Sequence, residues 1–261
     1  MYAKHALVRR PSARLAEGIV THLVRTPVDV GRAREQWQSY VEALHIAGWE
    51  THEVPPADDL PDSVFVEDTM VVYGDLAVIA RPGAEQRRGE TAAAEAKVRG
   101  LGYRVARIEE PGTLDGGDVL KFGNTVWVGV GQRTNEDGAR QLAAHLRPLG
   151  ARVVMVPITK ALHLKSAVTA LPDGTIVGYP PLVDDAAVYP RFLPVPEEHG
   201  GHVVLLGGTT VLMAASAPET ARMFRDRGLE VLTVDISEFE KLEGCVTCLS
   251  VRLRGLPGPR A

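Results

Sequence analysis

The 261-residue sequence predicts an α/β fold of five repeated ββαβ units, arranged as a five-fold pseudo-symmetric ring. Two patterns predict it. Period-2 apolar runs broken by Gly, Asn and Asp turns recur along the chain, and most lead into a helical run that stops at glycine and then a short apolar strand. The chain also begins and ends with a single unpartnered strand, so pairing the two termini supplies the one missing hairpin. An open mixed α/β sheet would use the same hairpins without closing.

The predicted hairpins are SVFVEDTMVVYGDLAVIA (63–80), turning near Gly74-Asp75; DVLKFGNTVWVGV (118–130), turning at Gly123-Asn124; SAVTALPDGTIVGY (166–179), turning at Pro172-Asp173-Gly174; and HVVLLGGTTVLMAA (202–215), turning at Gly207-Gly208. Helices over 89–102, 135–150 and 217–228 follow the first, second and fourth, with return strands over 103–109, 151–158 and 229–236. The third unit is the weakest, with only DDAAVYPRF (184–192) in place of a helix. HALVRR (5–10), an amphipathic helix over 31–48, WETHEVP (49–55) and CLSVRLR (248–254) form the divided fifth unit.

Composition narrows the function. Hydrophobic residues at 45% and charged residues at 24% describe an ordinary globular chain, and a net charge of −4 offers no basic face for nucleic acid. The N-terminus lacks the apolar run of a signal peptide, and no apolar run is long enough to span a bilayer, so no membrane partner is expected. Two cysteines give no disulfide framework, and the expected setting is the cytoplasm.

Residues able to do chemistry fall at equivalent places in the repeat. Asp62, Glu67 and Asp68 sit at the start of the first hairpin, Asp115 just before the second and His163 just before the third, while Cys248 opens the C-terminal strand. In a closed ring these positions face the same end of the axis, so a thiol, an imidazole and several carboxylates would converge. A thiol beside a base that is oriented by a carboxylate is the usual arrangement for covalent catalysis.

Each motif has a second reading. LEGCVTCLSV holds both cysteines, Cys245 and Cys248, as C-x-x-C. A thioredoxin-type pair would open a helix, whereas these lead into a β-rich run. A structural zinc site would need a further ligand pair, which only His199 and His202 offer, at poor spacing. Cys248 is then a nucleophile or a buried inert thiol, and Cys245 a small apolar neighbour exposed to oxidation against it. His163 could equally be a hydrogen-bonded structural histidine, and the Gly-Gly of TLDGGDVL (113–120) a plain turn. Glu67 and Asp68, read as adjacent positions of an apolar strand, should point to opposite faces, and a buried carboxylate needs a cation. Arg81, Arg87, Arg88 and Arg133 are suited to gripping a ligand carboxylate, or are solvated surface residues.

With FVED, RPGAEQRRGE, LDGGDVL, QRTN, LHLKS and TCLSVRL in order, the chain from HALVRR to CLSVRL resembles the dimethylarginine dimethylaminohydrolases of the guanidine-modifying (pentein) superfamily. The resemblance implies a five-fold α/β propeller of ββαβ units, with one unit closed by the N- and C-terminal strands. It implies one catalytic domain over 1–261 with a lid loop at about 11–30. The implied reaction converts Nω,Nω-dimethyl-L-arginine and Nω-methyl-L-arginine to L-citrulline plus dimethylamine or methylamine, through a covalent S-alkylthiouronium. By position, Cys248 would be the nucleophile, His163 the general acid and base, and Asp115 its orienting carboxylate. Asp68 would bind the guanidinium, with Asp62 and Glu67 as accessory acids in the same pocket. Arg87 and Arg133 would hold the α-carboxylate, Ile19 would lie in the lid, and Leu242 near the α-amino group. No metal or other cofactor is implied, the partner is a small-molecule substrate, and the assembly would be a monomer or homodimer. Cys245 departs from the family's pattern. Arginine deimination or amidino transfer on the same scaffold is the nearest alternative, and a non-catalytic binder of arginine-like ligands the alternative from another class.

Overall fold

Alternating apolar residues and glycine turns do pair as expected, and they do so unit by unit. The computed structural model describes residues 4–253 and 256. In chain order its elements are β1 (Lys4–Val8), α1 (Val30–Ile46) and β2 (Trp49–Glu53); β3 (Met70–Tyr73), β4 (Leu76–Ile79), α2 (Thr91–Gly100) and β5 (Arg104–Arg107); β6 (Val119–Phe122), β7 (Thr125–Val130), α3 (Glu136–Leu146) and β8 (Arg152–Pro157). Then come α4 (Leu164–Ala167), β9 (Val168–Ala170), β10 (Ile176–Gly178) and β11 (Phe192–Pro194); β12 (Val203–Gly207), β13 (Thr210–Ala214), α5 (Pro218–Asp226) and β14 (Glu230–Val234); and last α6 (Ser237–Glu240) and β15 (Val251–Arg252).

They form five three-stranded sheets, each an antiparallel pair extended by a parallel return strand. The fifth sheet has the order β15-β1-β2, with Ala6 opposite Arg252 and Leu7 opposite Val251. The terminal strands thus supply the missing hairpin. Helix ends follow local chemistry: Asp29 caps α1 by accepting from Arg32 N–H, Asn135 caps α3 by accepting from Gly138 N–H, and Pro218 opens α5.

The apolar core is five clusters, and each joins two neighbouring units. Leu7 and Val251 pack with Val72 and Ile79; Val71 and Val78 with Val126 and Leu142; Trp127 with Val168 and Ile176; Val177 with Val211 and Phe224. The last cluster packs Leu206 and Leu212 against Ala6, Val8 and Tyr40 and returns to the start. No unit buries its own face alone, so burial itself closes the ring.

Four local expectations are corrected. Residues Val66–Thr69 form a turn of 3-10 helix, not strand, so Glu67 and Asp68 diverge because successive side chains of that helix point about 120° apart. Cys248 lies in a turn, and the last strand begins only at Val251. The start of the third hairpin is the short helix α4, and that unit has a return strand, β11, which the sequence pattern did not reveal. Arg254, the end of the expected terminal strand, lies outside the described residues. Among the described residues no helix is long and apolar enough to cross a membrane.

Candidate active site

Three connecting segments at one end of the ring carry the candidate residues: the 3-10 turn before β3, the Gly116–Asp118 turn before β6 and the segment leading into α4. The turn at Cys245–Cys248 meets them, because Glu67 N–H donates to Cys248 C=O at 3.1 Å. Glycine makes the approach possible. A β-carbon on Gly117 would lie 2.7 Å from both Asp68 Oδ1 and His163 Nδ1, and one on Gly116 2.0 Å from Glu67 O. The Gly-Gly pair is therefore a packing requirement, and not only a turn.

Cys248, His163, Asp62, Asp68, Arg87, Arg133, Ile19 and Leu242 line one cavity of about 20 Å³. Asp115 stands behind His163, fully buried, accepting from its Nε2 at 3.0 Å and from Gly83 N–H at 3.0 Å. Nδ1 of His163 is 4.0 Å from Asp68 Oδ1. Asp118 adds another buried carboxylate, held by Thr134 Oγ1 at 2.6 Å and Leu164 N–H at 3.0 Å.

These charges decide the protonation states. Burial alone would lower the His163 pKa, but Asp68 and Asp118, together with the hydrogen bond to Asp115, raise it to about 9. Burial would likewise raise Asp68, yet His163 and Arg87 hold it at about 2. Asp118, desolvated and with less cationic support, is pushed up to about 6. Contact with the Cys245 sulfur, burial and the charges of Glu67 and Asp68 push the Cys248 thiol well above its ordinary value. At neutral pH the site therefore sets an imidazolium beside a protonated Cys248 thiol, while the same sulfur contact pushes the Cys245 thiol well below its ordinary value; a further cation next to Cys248 would favour its thiolate.

The expected anion grip divides unequally. Arg87 is buried and already engaged: its Nη1 donates to Asp68 at 2.7 Å, its Nε and Nη2 to Glu90 at 3.0 and 2.7 Å, and Nη2 also to Asp62 O and Phe65 O. Arg133 Nη1 is buried without a hydrogen-bond partner, 3.8 Å from Asp115 Oδ2. Glu67 is not in this pocket. It pairs with Lys165 at 2.6 Å and Arg252 at 2.7 Å and lines a separate cavity of about 340 Å³. Arg81 pairs with Glu110, and Arg88 with Glu85, away from the pocket lining. Asp68, Asp115 and His163 place ligand atoms within 4.8 Å of one another, as a metal site would, but Arg87 and Arg133 already supply the neutralising cations.

Sequence reasoning missed Glu90, Thr134 and Glu243. Glu90 and Thr134 lie inside the runs RPGAEQRRGE and QRTN, but no local signal singles them out, and their burial reveals them. Glu243, with φ of 62°, sits at the pocket rim and accepts from the N–H groups of Thr21, His22 and Leu23 and from the Thr21 hydroxyl. It ties the segment over 11–30 down, while Asp62 accepts from Ile19 N–H at 3.0 Å.

A family model described as arginine deiminase matches residues 41–204, which include the His163–Asp115 pair but end before Cys248. A dimethylarginine dimethylaminohydrolase of Streptomyces coelicolor is 66% identical over 98% of this chain and 99% of its own length. The chain belongs to the dimethylarginine dimethylaminohydrolase family. A Pseudomonas aeruginosa member is 35% identical over 95% of this chain and 99% of its own. Crystal structures of the family superpose with a TM-score of 0.90 over 97% of this chain and 100% of theirs. One, 34% identical, is a Cys-to-Ser variant of the Pseudomonas aeruginosa enzyme complexed with citrulline. Another, 33% identical, is a His-to-Gly variant as its adduct with S-methyl-L-thiocitrulline. The N-terminal domain of a cyanobacterial arginine dihydrolase, 22% identical with a TM-score of 0.87, shares the fold. The five-fold α/β propeller expected of the family is the architecture found here.

In this chain Cys245 is placed to react with Cys248. The Cys245 and Cys248 sulfurs are 3.3 Å apart, and Cys248 N–H donates to Cys245 C=O at 3.1 Å, a turn that brings the two α-carbons within disulfide range.

Two outcomes follow from this geometry. In NMR titration of histidine-labelled protein, the His163 resonances should move near pH 9, and Asp68→Asn should shift that midpoint down by about one unit or more. A folded pKa above the ordinary value of about 6.5 means that this group's stabilisation is complete below that pH and is lost as pH rises toward 9. Hydrogen peroxide should oxidise one thiol of the Cys245–Cys248 pair to a sulfenic acid with release of water, and the other thiol should displace a second water to give a disulfide. Intact mass lower by two hydrogens, with activity restored by dithiothreitol in the parent chain but not in Cys245→Ser after the same dose, is the expected result.

Proposed function

We propose that the chain hydrolyses Nω,Nω-dimethyl-L-arginine and Nω-methyl-L-arginine to L-citrulline and the methylated amine, with Cys248 as nucleophile, His163 as general acid and base, and Asp115 orienting His163. The observation that carries this reading is the meeting, in one buried pocket, of a thiol, a carboxylate-bound imidazolium, the carboxylates Asp62 and Asp68, and an arginine with an unpartnered donor. A substrate guanidinium would bring a further cation to the carboxylates Asp62 and Asp68, beside the Cys248 thiol.

The chemistry uses each group once per half-reaction. Asp68 accepts hydrogen bonds from the substrate guanidinium, supported by Asp62, and the substrate's positive charge lowers the Cys248 pKa so that the thiol loses its proton to solvent and the thiolate forms as the ligand binds. The sulfur attacks the guanidinium carbon. His163, bound through Nε2 to Asp115, delivers a proton from Nδ1 to the departing amine, which cannot leave as an anion. The C–N bond breaks and an S-alkylthiouronium remains. Neutral His163 then takes a proton from water, the hydroxide adds to the same carbon, and C–S cleavage releases citrulline and the thiolate. General acid–base help of this kind contributes about 10²–10⁴-fold. The steps require no metal or other cofactor. Arg133 receives the α-carboxylate. Arg87, held by Asp68 and Glu90, joins it through what remains of Nη1 and chiefly fixes Asp68. Leu242 and Ile19 flank the α-amino end.

A volume of about 20 Å³ holds a single water, whereas small-molecule pockets run to about 300–1,000 Å³. The segment over 11–30 is therefore assigned as a lid that opens for substrate by releasing Glu243, within one catalytic domain spanning 1–261. Glu67 takes no part in substrate binding in this scheme; it anchors the 3-10 turn through Lys165 and Arg252. The arginine deiminase model favours a second reading, deimination of unmodified arginine.

Citrulline release measured side by side with dimethylarginine, monomethylarginine and arginine separates the two. Turnover of the methylated forms with little from arginine is expected; turnover of arginine alone would reverse the assignment. Cys248→Ser should abolish turnover while retaining ligand binding. Arg133→Ala should raise KM for the amino acid at least tenfold with a smaller effect on kcat, whereas an unchanged KM would remove Arg133 from the site.

A further inference from the structure

The parallel pair β1–β2 carries a cluster that the catalytic scheme leaves unused. Its register sets His5 opposite Glu50 and Leu7 opposite His52. Alternation along β2 then places Glu50 and His52 on one face beside His5. His5 Nδ1 lies 3.0 Å from His52 Nε2 and 3.5 Å from a Glu50 oxygen, and His52 Nε2 is 3.8 Å from the other Glu50 oxygen. The imidazoles are tilted by 33° with centroids 5.1 Å apart, His5 is buried, and the Glu50 side chain is 68% exposed at the mouth of the cluster.

We propose that His5, Glu50 and His52 form a binding site for a divalent transition-metal ion of the zinc class, distinct from the catalytic pocket. A tetrahedral zinc ion with bonds of about 2.0–2.2 Å has ligand–ligand edges of about 3.3–3.6 Å; the two ring nitrogens here are 3.0 Å apart, and each lies 3.5 or 3.8 Å from one or the other Glu50 oxygen, close to that range. Two imidazole nitrogens and one carboxylate oxygen are a donor set suited to zinc, nickel or copper. Without an ion, the His5–His52 contact requires one N–H pointed at the other ring's lone pair; an ion takes the place of that proton and accepts both lone pairs. Exposure at Glu50 leaves the fourth position to water. The donors stand on hydrogen-bonded strands rather than on a loop, so little ordering is needed to bind.

Such an ion would clamp β1 to β2. Because β1 also pairs with β15, the clamp acts on the sheet that closes the ring and precedes no step of catalysis.

The test uses untagged full-length protein carrying Cys245→Ser and Cys248→Ser, so that active-site thiols cannot take up the metal. Zinc chloride alone is titrated by calorimetry, and melting is followed with and without excess zinc. Binding of one ion with a melting temperature raised by several degrees is expected. His52→Ala in that background should lose the shift, and Glu50→Gln should weaken binding about tenfold or more; far-UV circular dichroism verifies that each variant is folded, and Glu50→Gln alone suffices if His52→Ala is not. Cobalt substitution should give the visible bands of a tetrahedral site. Zinc uptake and shift unchanged in these variants, or no uptake at zinc concentrations of tens of micromolar, would overturn the site.

Discussion

The antiparallel pairing of β1 with β15 joins the two ends of the chain, and the remainder of the molecule rests on it. Each unit has an apolar face that only a neighbour can cover, so an unclosed array would leave two faces in water. The cluster around Leu7, Val251, Val72 and Ile79 and the cluster around Ala6, Tyr40, Leu206 and Leu212 lie on either side of the joint. Burial of these residues stabilises the closed state by about 25 cal/mol for each Å² of apolar surface removed from water. Closure has a functional consequence too. The turn bearing Cys248 immediately precedes β15, and its carbonyl is held by Glu67 N–H from the next unit.

Around that turn the structure concentrates charge in a way that burial alone forbids. Asp68, Asp115 and Asp118 surround His163, and Arg87 and Arg133 stand close by. Desolvation penalises every one of these ions, so each persists only because an opposite charge and an oriented donor are within reach. The network holds His163 protonated and Cys248 protonated together, the state from which a cationic substrate can draw the thiolate. Glu67 shows the same principle on the other side of the 3-10 turn, where Lys165 and Arg252 share one of its oxygens.

Cys245 gives this site a feature that its position in the turn makes chemically consequential. Its sulfur lies between the Thr247 hydroxyl at 3.2 Å and the Cys248 sulfur at 3.3 Å. In a turn this short the partner thiol is always nearby, so oxidation at Cys248 has an internal route to a disulfide before it can proceed to irreversible acids. The His5–Glu50–His52 cluster has a different origin. There strand register, not a turn, brings the donors together.

By itself the sequence determined the number of units, the hairpin turns, the return strands of four units and the pairing of the ends, because period-2 alternation and glycine stops are local signals. It also placed Cys248, His163 and Asp115 at equivalent points of the repeat, from which their convergence followed. It did not determine that 66–69 is a 3-10 turn, since Val-Glu-Asp-Thr set between apolar stretches reads as part of one strand until its hydrogen bonds are known. Only the tertiary structure decided that Glu67 faces another cavity, that Arg87 is engaged by Asp68 and Glu90 while Arg133 keeps an unpartnered donor, and that Glu243 fastens the segment over the pocket. The physical reason is the same in each case. Which partner satisfies a buried charge depends on distances between segments remote in sequence, and local patterns carry no information about those distances.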